Sequence, residues 1–147
     1  MRIRHIIICG SAALAAIAVG GLYFLKPSVS ARIGAAAKQS GSFDLAKLTD
    51  FNWDQAYIVS PYEPRERICA RLASTWTSCL SRLPPAISEG DFLLVFARGA
   101  SVVHHELHSR RNGDFCDASC FLQLTPEQAR FTYSATQNRH VLATNSP

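Results

Sequence analysis

From Ile6 to Leu25 the chain carries an uninterrupted uncharged stretch, and no other feature of the sequence narrows the architecture as much. In helical form, at about 1.5 Å of rise per residue, such a stretch crosses a hydrocarbon core of about 30 Å. Arg2 and Arg4 precede it and only Lys26 follows closely, so the positive-inside bias predicts a cytoplasmic N-terminus and an extracytoplasmic remainder. The competing reading is a signal peptide cleaved near Ala31, after the small residues Val29 and Ser30, which would release a secreted chain. Cys9 lies at the start of the apolar run and not after it, which suits a buried thiol better than a lipidated one. Ala12, Ala16 and Gly20 line one helix face with small side chains, making a homodimer through the anchor a candidate assembly.

Beyond the anchor, Lys26 to Ser42 are rich in Ser, Ala and Gly, which reads as a flexible stalk spanning about 20 to 25 Å. The expected division is therefore 1–25 as cytoplasmic tip and anchor, 26–42 as stalk and 43–147 as an extracytoplasmic domain. The net charge of +4 misleads unless it is divided the same way. Arg2, Arg4, Lys26, Arg32 and Lys38 all precede residue 43, where there is no acid; the other 10 basic residues face all 11 acids, leaving the domain at −1. With no basic face beyond the pair Arg110-Arg111, nucleic acid is excluded as a partner.

Within the domain, Asp44 to Thr49 predict a helical turn and Trp53 to Val59 a buried strand closed by Pro61 and Pro64. Pro64 suits a first helical turn, and Ile68 and Leu72 repeat at helical spacing, so a helix is expected from Pro64 to about Ser74. Phe92 to Arg98 is apolar enough for a sheet centre. Gly99-Ala100 turns it into a return strand over Ser101 to Ser109, and Asn112-Gly113-Asp114 makes the next reversal. Arg130 to Ala135 and His140 to Thr144 form a second hairpin around Gln137-Asn138. The expected class is α+β: one mostly antiparallel sheet of four or five strands, packed with one principal helix.

Cys69, Cys79, Cys116 and Cys120 form an even set in what the topology makes an oxidising compartment, so two disulfides are expected. Pairing Cys69 with Cys79 and Cys116 with Cys120 closes two short loops. The rival is a four-thiolate zinc site, which neither spacing favours.

Several of these residues carry a resemblance. Trp53-Asp54, Tyr57, Pro61-Tyr62, Pro64, the Phe92 to Phe96 strand, Arg110 with Gly113-Asp114-Phe115, and Pro126, Ala129 and Phe131 together resemble a group of small bacterial envelope proteins. The resemblance implies a membrane-anchored or lipoprotein-like location and a fold, but no activity, and the four domain cysteines depart from its pattern.

For chemistry, strand alternation places His104, Glu106 and His108 on one face, where with His140 they are candidate metal ligands; a solvated polar face is the plainer reading. Arg110, Arg111 and Asp114 could receive an anion or simply form an ion pair that fixes their loop. Trp53, Asp54, Tyr57 and Tyr62 are split between a recognition surface and the core. There is no nucleophile elbow and no glycine-rich phosphate loop, and no cofactor is implied. The expected function is a noncatalytic envelope module that binds another protein. The alternatives are a small metal-binding protein or metal-dependent hydrolase, and an immunity or inhibitor-type protein.

Overall fold

A computed structural model describes residues 26–72, 76–117 and 119–143. The apolar run, Cys9 and the small-residue stripe of the anchor lie outside these residues. Among the described residues no helix is long and apolar enough to cross a membrane.

The strands form two antiparallel sheets, where the sequence predicts one. The larger contains β2 (Gln55–Val59), β3 (Asp91–Arg98), β4 (Ser101–Ser109) and β5 (Phe121–Leu124) in the order β4-β3-β2-β5. The smaller contains β1 (Ser42–Asp44), β6 (Arg130–Ser134) and β7 (Arg139–Leu142) in the order β1-β6-β7. In β3, Phe92, Leu94 and Phe96 are buried against one layer and Leu93, Val95 and Ala97 against another. That double burial explains its unbroken apolar run, since a strand covered on both faces has no solvent side to alternate with. The first layer is completed by the small sheet and by α1 (Val29–Ser40), the second by α3 (Arg65–Arg71) and α4 (Cys79–Arg82). A single turn, α2 (Leu45–Leu48), follows β1 and is capped by the Asp44 carboxylate on the Ala46 amide.

Two expectations need correction. The segment taken as a flexible stalk is the longest described helix, α1, and it belongs to the domain core. Val29, Ile33 and Ala37 recur every four residues on its buried side, while Ser30 and Gly34 let the backbone come close to its neighbours. A Cβ on Gly34 would overlap the Asn112 side chain, which donates to both the Ser30 carbonyl and the Ser30 Oγ. Small residues therefore signal close packing here and not looseness. Gly41 ends the helix in the left-handed conformation, its N–H returning to the Ala37 carbonyl. The helix expected from Pro64 to Ser74 is correspondingly not the principal one: it covers Arg65–Arg71, with residues 73–75 outside the description.

Disulfides join Cys69 to Cys79, linking α3 to α4, and Cys116 to Cys120 across the loop that leads into β5. Both suggest an oxidising, extracytoplasmic location for the domain.

Candidate functional site

The face bearing His104, Glu106 and His108 is neither open to solvent nor arranged around a metal. Alternation along β4 turns it towards α1, whose first amides it receives. Glu106 accepts from the Val29 N–H at 3.2 Å and the Ser30 N–H at 2.5 Å, and its Oε2 also pairs with His104 Nε2 at 2.9 Å. Ser28 Oγ takes the Ala31 N–H, so the unpaired donors and positive dipole end of α1 meet a carboxylate contributed from far along the chain. Charge-assisted bonds of this kind are worth about 1.5 to 3 kcal/mol each. Glu106→Ala is therefore expected to cost about 2 to 4 kcal/mol, read as a lowered urea midpoint, with earlier amide exchange in α1 than in β3. Equal loss of protection in both elements would refute this anchoring role.

His108 is fully buried, its Nε2–H donating to the Gly113 carbonyl at 2.9 Å while Nδ1 has no partner. His140, on the other sheet, lies with its ring centroid 5.8 Å from that of His108. Phe43, Phe115, Phe131 and Tyr133 surround His140, and neither of its ring nitrogens makes a hydrogen bond of ordinary geometry. Burial, then the neighbouring His108, lowers its pKa from the usual 6.5 to about 4; the Asn112 backbone and Asp114 oppose this only partly. Among the described residues no group of three His, Cys, Asp or Glu side chains is placed to hold a metal ion. His104 and Glu106 are committed to each other and to α1, and the two buried histidines face hydrocarbon.

Arg110 and Asp114 form a two-pronged ion pair, Nε to Oδ1 at 2.8 Å and Nη2 to Oδ2 at 2.5 Å, while Arg110 Nη1 donates to the Glu89 carbonyl at 3.3 Å. The guanidinium is thus spent on its own loop. Arg111 takes no part in this pair. Of the aromatic set, Trp53 and Tyr57 are core, Asp54 accepts the Gly99 N–H at 2.8 Å, and Tyr62 alone stands in solvent.

What the strand pattern does not disclose is the outer edge of β4. This strand ends the larger sheet, and its bonded row towards β3 includes the Arg110 N–H to the Gly90 carbonyl. By antiparallel alternation the backbone groups of His105, Leu107 and Ser109 point outward. Ser109 N–H is taken by Ser30 Oγ, which leaves His105 and Leu107 without partners among the described residues. The register shift between Phe96 and Ala97 interrupts the strand at Val103, so the regular open stretch begins at His104.

Two hollows of about 250 and 260 Å³ flank this edge, running between β4 and the segment from Trp76 to Pro84. Both are lined by Arg82 and His105, and Trp76 packs on the His105 ring at 4.7 Å between centroids. Burial, then His104 and Arg82, lowers the His105 pKa, so the ring is neutral at physiological pH. Arg82 has no ion-pair partner among the described residues. Leu107 is 46% exposed, Val103 43% and Leu80 55%. An open strand edge beside a hollow, with apolar side chains and an unpaired cation, is an arrangement that can accept an extended peptide.

Compared with protein-family models, curated proteins and solved structures, the chain matches none. The likeness to small envelope proteins therefore rests on its motif residues alone.

Proposed function

We propose that this chain is a noncatalytic module of the bacterial envelope, tethered by residues 6–25, whose domain binds an extended segment of a partner protein along β4. The open His105 and Leu107 backbone groups carry this reading, because unpaired strand donors and acceptors recruit another strand unless they are covered. The charge of the groove narrows the occupant. Arg82 lines both hollows, so the incoming strand carries a carboxylate opposite it. A second copy paired through the same edge would instead set Arg82 and His105 of two protomers against each other, which disfavours self-association there. Only Lys26, Pro27 and Ser28 separate the anchor from α1, so the module is held close to the membrane surface and not on a long stalk.

A library of random peptides of about ten residues tests this. The expected winners alternate apolar residues with Asp or Glu and slow the amide exchange of His105 and Leu107. Arg82→Glu should weaken them about fivefold and shift selection towards basic peptides. Winners that leave those two amides unprotected, or that bind Arg82→Glu equally well, would overturn the proposal.

A further inference from the structure

At the end of the larger sheet remote from the Gly99 hairpin, a second cleft of about 300 Å³ opens between the turn Ser60 to Glu63 and the Cys116–Cys120 loop, with Phe92 in its lining. Ser60 stands in its wall with only 2% of its surface exposed, yet its Oγ has no hydrogen-bond partner. A buried hydroxyl without a partner forfeits the bonds it made in water, so its presence in a cleft wall points to something the cleft receives.

Tyr62 gives the second sign. It adopts φ of 64°, a left-handed backbone that an aromatic residue rarely takes, and its side chain is 65% exposed. No packing of the ring repays that conformation. What holds it is the backbone: the Tyr62 N–H donates to the Ile87 carbonyl at 2.9 Å, and the Ser60 N–H to the Cys120 carbonyl at 3.0 Å. The second bond ties the turn to the disulfide-closed wall, so the cleft is preformed. Strain of this kind collects where a side chain must be presented in one place.

The charges around the cleft define the ligand by what they leave over. Arg110 is paired with Asp114, Glu63 with Arg67, and Asp117 with Arg139. No ion is left without its counterion, so the site has no net attraction for an anion or a cation. It does offer carboxylate acceptors, guanidinium and hydroxyl donors, and an aromatic face within one small volume. A ring that carries hydroxyls around its rim, each donor and acceptor, and C–H groups on its flat side matches that set, because C–H edges rest favourably on the negative face of an aromatic ring.

We infer that the cleft between Ser60, Tyr62 and Asp117 is a binding site for a neutral saccharide, with Tyr62 as the stacking platform and the Ser60 hydroxyl as a buried hydrogen-bonding group.

The test uses full-length protein in a phosphocholine detergent, which carries no sugar, with maltotriose, cellotriose and chitotriose as separate probes. Saturation transferred from protein to sugar ring protons is the readout. At least one trisaccharide is expected to receive it, with affinity falling about tenfold in Tyr62→Gly and about fivefold in Ser60→Ala. Glycine accepts the left-handed backbone without strain, so that variant keeps the fold, verified by intact disulfides and an unchanged unfolding midpoint. No transfer to any of the three, transfer unaffected by both substitutions, or competition by inorganic phosphate would each overturn the inference. Peptide binding at β4 is measured on the same variants and should be unchanged, which separates failure here from failure of the strand-edge reading.

Discussion

Gly113→Ala is expected to destabilise the domain by about 3 to 5 kcal/mol, the largest effect of any single methyl group added to this chain. Gly113 sits at φ 117° and ψ 147°, a region open essentially to glycine alone, and forcing another residue there costs about 1 to 3 kcal/mol. A Cβ would in addition overlap the His140 ring, and relieving an overlap in a packed core costs about as much again. The core cannot yield easily, because the Gly113 carbonyl is itself the acceptor for His108 and Asp114 is bound to β7 through the Asn138 carbonyl and the His140 N–H. Urea unfolding of Gly113→Ala in the parent and in a His140→Ala background separates the two parts. Removing the ring should recover about 1 to 3 kcal/mol of the added cost and leave the backbone share. A Gly113→Ala midpoint within about 1 kcal/mol of the parent would show that the loop moves freely.

Acid should unfold this domain earlier than its carboxylates alone would require. His140 in the folded state has its pKa lowered to about 4 from 6.5, so the unfolded chain binds a proton that the native one refuses. The sign follows: the neutral ring's contribution is fully present above about pH 6.5 and is lost as pH falls towards 4. At about 1.4 kcal/mol per pH unit the loss reaches about 3 kcal/mol, a large share of the about 5 to 15 kcal/mol that stabilises a typical domain. His108 acts in the same direction, lowered chiefly by burial, while the Gly113 carbonyl, Glu106, Asp114 and Asp91 resist it. Urea midpoints taken between pH 7.5 and 4 should fall steeply in the parent and more gently in His140→Phe, whose apolar ring keeps the cage filled. An equal slope in both proteins would place the titration elsewhere.

The histidines show how unevenly the site was written into the chain. Alternation along Ser101 to Ser109 correctly separates His104, Glu106 and His108 from His105 and Leu107. It is silent on what each face meets. His108 and His140 become neighbours because the loop Arg110 to Asp114 lays β7 against the end of β4, as the parallel bridge from Asp114 to Arg139 records. Glu106 reads as a surface carboxylate until α1 is placed on it. Tyr62 could be singled out as an aromatic between prolines, but not its backbone conformation, which the contacts of its turn impose. The signal for the open edge was present in the exposed Val103 and Leu107, yet only the strand order reveals that β4 is terminal.

What the sequence determines by itself are the features whose causes are local. The apolar run of β3, the Gly99-Ala100 turn, the alternation of β4, the hairpin of β6 and β7 and the short loops between cysteines each depend on residues a few positions apart. What the tertiary structure alone decides are the features whose partners are distant. A stretch of Ala, Ser and Gly becomes helix α1 because Glu106 satisfies its first amides and the core covers Val29, Ile33 and Ala37. The strands divide between two sheets because β1 and β5, too short to announce themselves, find partners in β6 and β2. Three or four residues carry too little periodicity to specify a strand, and small residues look alike in a linker and in a tight interface. Their conformation is settled by the surfaces that surround them.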